Sequence, residues 1–334
     1  MKHDITNDTP DSATFPVIPG PTLAELQSNP VPDDFYQLTG PLPYRMMNDA
    51  LFHIVLEANP EVLKSLLCAL LTLAPEQILS IEVTNPIELG STIYNKNYVL
   101  DLKICLNNNT LINIEVQVLK LKFWKERSLG YLCRTFDNLN KGDDYCNTRP
   151  AIQIGILDFE IFDGDTEFFA TYHLANDITH KIYSDKFRLS VLQLNQVQHA
   201  TDEDRSSKRT LWAQFFKVST WKEVSMLAEQ DPIFAEAAKT IYRVTEDERV
   251  RNHCDAREMG ERTHNTLVRQ LAEQTQQLEE KTQQLEEKTQ QLEDQKQQLE
   301  VKDLQLEAKE QQLEAKDALI AELKAALALS NKCK

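Results

Sequence analysis

At 334 residues, 41% of them hydrophobic and 26% charged, the chain is long enough to bury a sizeable core and could hold two domains. Its formal net charge of −16 gives no general attraction for phosphate, so any contact with nucleic acid has to come from local basic groups. No run of apolar residues reaches membrane-spanning length, and no basic-then-apolar leader is visible at the N-terminus. The six cysteines form no CxxC pair, which fits a reducing cytoplasm better than a disulfide framework.

Taken in chain order, residues 1–43 hold eight of the thirteen prolines together with many Asp, Thr and Ser, and read as a disordered Pro-rich arm. Leu23 to Leu26 is the one helical turn expected within it. From Tyr44 to Leu73 the spacing predicts helix: Met47, Leu51, Ile54 and Val55 share a face. Pro60 starts a second helix whose apolar stripe is Val62, Leu63, Leu66, Leu67 and Leu70. Asp49 falls in the first turn, where an acid suits the helix dipole. Ile78 to Thr84 predicts a strand, closed by Asn85-Pro86.

The stretch from Tyr98 to Leu119 predicts a hairpin. Leu100, Leu102, Ile104 and Leu106 alternate with Asp101, Lys103 and Cys105, and Ile112, Ile114, Val116 and Val118 alternate with Asn113, Glu115 and Gln117. Period two therefore puts the aliphatics on one face and Asp101, Lys103, Glu115 and Gln117 on the other. With Asn107–Asn109 as a three-residue loop, Leu106 faces Thr110 and Asp101 falls opposite Glu115, since Asn tolerates left-handed backbone. A loop longer by one residue at each end pairs Lys103 with Glu115 and Asp101 with Gln117 instead. Two carboxylates opposed across a hairpin repel and need a cation, and oxygen ligands suit magnesium or manganese. The alternative reading is a solvated charge cluster around Lys103.

Trp124 to Leu139 predicts a helix, with Trp124, Leu129, Leu132, Cys133 and Phe136 available for a core. Arg127, Tyr131 and Arg134 recur at i, i+4 and i+7 on one face. Residues 118–149 carry 7 bases and 4 acids, and two arginines flanking a tyrosine suit phosphate contact with stacking. Ala151 to Phe159 is a nearly continuous apolar run, as in a strand buried on both faces. Phe168–Leu174 and Phe187–Leu194 predict two more strands, and Thr210–Val244 reads as a helical cap. The pattern is that of an α/β or α+β layer architecture with a mixed sheet and a crossover helix after the hairpin.

From Leu271 a leucine recurs every seventh residue through 278, 285, 292, 299, 306 and 313, and QQLEEKT stands intact at 276–282 and 283–289. A strict heptad predicts a left-handed coiled coil, here a parallel homodimer, although the second seam position is Thr, Lys, Asp or Glu. A single charged helix is the alternative. Phosphate-loop, GxGxxG, HExxH and nucleophile-elbow motifs are absent, and the seven histidines have no zinc-ligand spacing.

The blocks Asn48-Asp49-Ala50-Leu51-Phe52, Leu100-Asp101-Leu102-Lys103 and Asn113-Ile114-Glu115-Val116-Gln117 stand in order along the chain. They are followed by Arg127-Ser128-Leu129-Gly130-Tyr131, Lys141-Gly142-Asp143-Asp144-Tyr145 and Ile156-Leu157-Asp158-Phe159. Over roughly residues 45–190 their order and spacing resemble the PD-(D/E)XK nuclease superfamily, in its transposase-like, recombination-promoting branch. Two departures are Gly130-Tyr131 in place of a frequent Tyr pair, and Gln117 in place of the motif lysine. The resemblance implies a restriction-endonuclease-like mixed sheet flanked by helices, over 44–200. A helical extension (201–254) and the heptad segment (255–334) follow. It also implies a Mg2+- or Mn2+-dependent DNA endonuclease, with metal held by Asp101, Glu115, the Val116 carbonyl and Asp49. Gln117 would orient a water, Lys103 would supply positive charge, and Arg127, Tyr131 and Arg134 would contact DNA. A scaffold that kept the fold, lost activity and works through its coil is the competing expectation.

Overall fold

The computed structural model describes residues 22–85, 102–120 and 123–332, with side chains as far as 324. The N-terminal residues 1–21 of the expected arm, and Asp101 with the loop before it, lie outside the described residues. By compactness the chain divides into two units, residues 1–262 and 263–334. The first therefore reaches past the limit drawn from sequence at residue 254.

Short helix α1 (Leu23–Gln27) opens the first unit, closed by a capping box in which Thr22 and Glu25 bond each other's backbone. The sequence-based expectation of a solvated arm does not hold for residues 22–43, because Leu26, Phe35 and Leu42 are buried in the main core. Three apolar side chains spread over a proline-rich stretch were enough to dock it. Helix α2 (Asp49–Ala58) starts on an Asn48 cap that accepts from the Leu51 amide at 3.2 Å. Helix α3 (Pro60–Leu71) starts on Asn59 with proline at its first turn, as the sequence implied.

The sheet has six strands in the order β1-β2-β3-β4-β6-β5. Strand β1 (Ile81–Val83) is shorter than expected: the amides of Leu79 and Ser80 donate to the Asn107 side chain, at 2.7 and 3.1 Å, instead of to a neighbouring strand. Strands β2 (Leu102–Leu106) and β3 (Thr110–Gln117) form the central hairpin in the three-residue-loop register, Leu106 opposite Thr110 and Lys103 opposite Asn113. Asn107 and Asn108 take the left-handed backbone at φ 52° and 55°. The longer-loop register, with Lys103 facing Glu115, is not adopted.

Helix α4 (Trp124–Phe136) then crosses over, so that β4 (Ala151–Leu157) returns parallel to β3, and every residue of β4 is buried. Strand β6 (Phe187–Gln193) lies parallel to β4, and β5 (Phe169–His173) closes the far edge antiparallel to β6.

The two faces of the sheet are unequal. One carries Leu102, Ile104, Ile112, Ile114, Val116, Ile152, Ile154 and Ile156 into the main core. There they join α2 and α3 together with α6 (Arg209–Lys217), α7 (Trp221–Gln230) and α8 (Ile233–Thr245). The helices expected as a cap thus share the core of the sheet, with Trp212, Phe215, Phe216 and Phe234 fully buried. Short helix α5 (Asp202–Ser206) precedes them. Arg209, 4% exposed, donates to the Ala69 carbonyl at 3.0 Å and to Asp204 at 2.9 Å, tying α3 to the later helices. Burial works to raise the Asp204 carboxyl, but bonds from Thr201 and Arg209 prevail and hold it below the ordinary carboxylate range.

The other face has a small core of Trp124, Leu157, Phe159 and Val191 under α4. Leu129 and Cys133, expected in a core, are exposed, since α4 is covered on one side only.

Helix α9 runs from Glu248 to Lys332. In the second unit its heptad leucines from Leu271 to Leu313 are each between 57% and 66% exposed. No helix among the described residues is long and apolar enough to cross a membrane.

Candidate active site

Side chains on the α4 face of β3 are Asn113, Glu115 and Gln117, which follow from the period of the strand. Across the hairpin Lys103 stands opposite Asn113. On the parallel side Asn113 meets Gln153, and Glu115 meets Gly155. Asn113 donates to the Gln153 side-chain oxygen at 2.9 Å, both residues being buried.

Glu115 is only 2% exposed, and the Arg127 guanidinium of α4 lies 2.7 Å from its carboxylate. A buried carboxylate is costly without such a partner. Arg127 also stands 5.3 Å from the centre of the Tyr131 ring, one turn further along the helix. Sequence reasoning placed Arg127 on an outward DNA-binding face and looked to Lys103 for positive charge. Instead Arg127 reaches the carboxylate, because α4 lies across the polar face of the hairpin.

The close approach of α4 depends on Gly155. A Cβ at this position would stand 2.5 Å and 2.9 Å from two ring carbons of Trp124. Neither this contact nor the Asn113–Gln153 pair was singled out from sequence. The available signal was a glycine in the middle of a nearly continuous apolar strand, which marks a close approach.

A cleft of about 300 Å3 opens between the hairpin and α4, with Lys103, Asn113, Tyr131 and Arg134 in its walls. Lys103, Tyr131 and Arg134 are thus brought together, with Arg127 behind them on Glu115. Asp49 stands apart from that set: Arg257 of α9 holds it through two contacts, one from Nε at 2.6 Å and a second from Nη2. The side chain of Val116 points to the main core, and Gln117 ends β3, its carbonyl accepting from the Asp158 amide at 3.0 Å. Asp158 itself is paired with Lys217 at 3.1 Å.

No group of three or more His, Cys, Asp or Glu side chains arranged to hold a metal occurs among the described residues, Asp101 being outside them. Glu115, the Gln117 carboxamide and the Val116 carbonyl offer oxygen donors alone, a set that fits a hard divalent cation.

Comparison with known proteins adds the family. No curated protein and no solved structure matches the chain. The family model described as "PD-(D/E)XK nuclease family transposase" matches residues 46–271, which takes in the sheet, α4 and the helices α5 to α8. With its mixed sheet, its polar hairpin face and that match over more than half its length, the chain belongs to the PD-(D/E)XK nuclease family of transposases.

Proposed function

We propose that the chain is a metal-dependent DNA endonuclease that hydrolyses phosphodiester bonds at the polar face of the β2–β3 hairpin. The observation that carries the reading is Glu115, a carboxylate 2% exposed, set in a strand of the family's span and balanced by the Arg127 guanidinium at 2.7 Å. Glu115 with Asp101 and the Val116 carbonyl would hold Mg2+ or Mn2+, whereas Asp49, held by Arg257 apart from that set, is left out of the metal site. The bound cation would polarise the scissile phosphate and lower the pKa of a bound water. Gln117 has no titratable group, so its carboxamide orients the attacking water and takes no proton. Lys103 and Arg134 attract the phosphates on either side.

Arg127 has two tasks in this scheme. Without metal it neutralises Glu115; once a cation takes over, its guanidinium is released to a phosphate. One substitution should therefore act in opposite directions. Arg127→Ala is expected to tighten Mn2+ binding in the absence of DNA by on the order of tenfold, since a competing unit charge is removed. The same variant should weaken DNA binding and lower the salt slope by about one. Calorimetric titration of Mn2+ and salt-dependent anisotropy check the two effects. Metal affinity that falls together with DNA affinity would contradict the exchange.

For the second unit we propose a parallel homodimeric coil. With leucine at d, Lys281, Lys288, Lys302 and Lys309 occupy g and face Glu286, Glu293, Glu307 and Glu314 at e of a parallel second copy. An antiparallel pair would set lysine against lysine. Sedimentation at tens of micromolar should find the full chain dimeric and a 1–262 truncation monomeric and folded. The cut follows Arg262 because Tyr44 bonds Asp255 and Asp49 bonds Arg257. A monomeric full-length chain would remove the coil.

A further inference from the structure

The cleft between the β2–β3 hairpin and α4 differs in kind from two larger clefts among the described residues. One of those, about 540 Å3, has Glu61 and Asp231 in its walls, and the other, about 390 Å3, has Glu223. The hairpin cleft has no carboxylate among its described lining residues, and it has two cations there, Lys103 and Arg134. In a chain of net charge −16 such a place is the local exception, and it selects for an anion. Neither cation is paired with a carboxylate among the described residues.

Size narrows the ligand. A volume of about 300 Å3 lies at the lower end of small-molecule sites and admits one nucleotide, whereas a duplex can only lie across its mouth. Chemistry narrows it further. The Tyr131 ring is backed by the Arg127 guanidinium at 5.3 Å and also lines the cleft, which makes it a stacking platform. Asn113, 2% exposed, lines the cleft as well, and its Oδ1 accepts no hydrogen bond from the described residues. Turning the amide would only leave its Nδ2 over instead, so one polar atom of Asn113 is left for a ligand either way. Amide side chains of this kind read base edges. Finally, Asn113 lies two residues before Glu115 on the same strand face, so a nucleotide here adjoins the proposed scissile position.

We infer that this cleft receives a single unpaired nucleotide of the DNA strand. The base stacks on Tyr131 against Asn113, and the flanking phosphates lie on Lys103 and Arg134. The substrate class is then DNA with a bulged, flapped or single-stranded nucleotide beside the cut, in preference to a continuous duplex. The inference rests on the nuclease reading for its mention of a cut, but the binding preference does not need cleavage.

The experiment measures binding of the full chain in EDTA to fluorescent oligonucleotides of equal length, a continuous duplex and a duplex with one bulged 2-aminopurine. The bulged duplex should bind about tenfold or more tightly, with 2-aminopurine emission quenched on binding. Tyr131→Ala should remove the preference and the quenching, while Tyr131→Phe, which keeps the ring, should retain both. Equal affinity for the two duplexes, no DNA binding, or a preference that survives Tyr131→Ala would overturn the inference. Plasmid nicking in Mg2+ is read in parallel. Nicking without the preference rejects only the cleft, and the preference without nicking rejects only the nuclease reading.

Discussion

Glu115→Gln is expected to abolish Mg2+-dependent plasmid nicking, by about 10²–10³-fold or more, while leaving a folded protein. The loss follows from the several kcal/mol of charge stabilisation that a lost metal ligand forfeits, each 1.36 kcal/mol being tenfold in rate. Folding should suffer far less. Removing one partner of a fully buried ion pair costs about 3–5 kcal/mol, because the other charge is stranded. Here the remaining charge belongs to Arg127, whose side chain is 37% exposed and can turn to water. A cost of about 1–2 kcal/mol is therefore expected, after discounting for that solvation. The two effects separate the readings. A purely structural Glu115–Arg127 bridge predicts loss of stability with no change in metal response. A ligand predicts that the wild-type melting point rises with millimolar Mg2+ and that of the variant does not. Nicking that survives the substitution, or equal Mg2+ shifts in both proteins, would sink the metal-site reading and leave the scaffold in its place.

What could be read from the sequence was whatever follows from periodicity. The aliphatic alternation of β2 and β3 fixed which face enters the core, and the three asparagines fixed the loop and with it the register. The apolar run Ala151–Leu157 was legible as a central strand for the same reason. Contacts between elements were not legible, because no local pattern encodes how far one helix slides over a sheet. Arg127 and Tyr131 shared a helix face in either reading, yet which of them met the hairpin depended on how α4 was seated. Likewise residues 22–43 look like leader by composition, and the burial of Leu26, Phe35 and Leu42 arises from a surface supplied by distant helices. The family match extends beyond the blocks seen in the sequence for a related reason. Helices α5 to α8 carry no motif; their part is to cover the main core behind the site, a task many apolar sequences can perform.

The seating of α4 leads to the second large effect. Gly155→Ala should destabilise the first unit by about 1–3 kcal/mol, the usual cost of an extra methyl in a packed core. The added Cβ meets two Trp124 ring carbons at 2.5 Å and 2.9 Å, and Leu157 is at 3.5 Å on another side. Trp124, itself 3% exposed, is hemmed in by Phe159 at a ring separation of 6.5 Å and cannot simply swing outward. The strand is equally fixed, since Gly155 pairs with Glu115 on one side and Val191 on the other. Something must therefore give, and the freest element is the N-terminal turn of α4, which has no side-chain cap. At roughly 2–4 °C per kcal/mol for a unit of this size, thermal melting should fall by about 2–12 °C, and further for Gly155→Val. A shift of that turn also moves Arg127, one turn along from Trp124, away from Glu115. Gly155→Ala should then reproduce part of the Arg127→Ala behaviour, with tighter Mn2+ binding and weaker DNA binding. Trp124→Phe supplies the control, because its shorter ring retreats from the new methyl. Combined with Gly155→Ala it should recover stability relative to the sum of the two single variants, with a coupling of about 0.5–3 kcal/mol. Strict additivity would show that α4 does not rest on Gly155 through Trp124, and that the hold of Arg127 on Glu115 is set elsewhere.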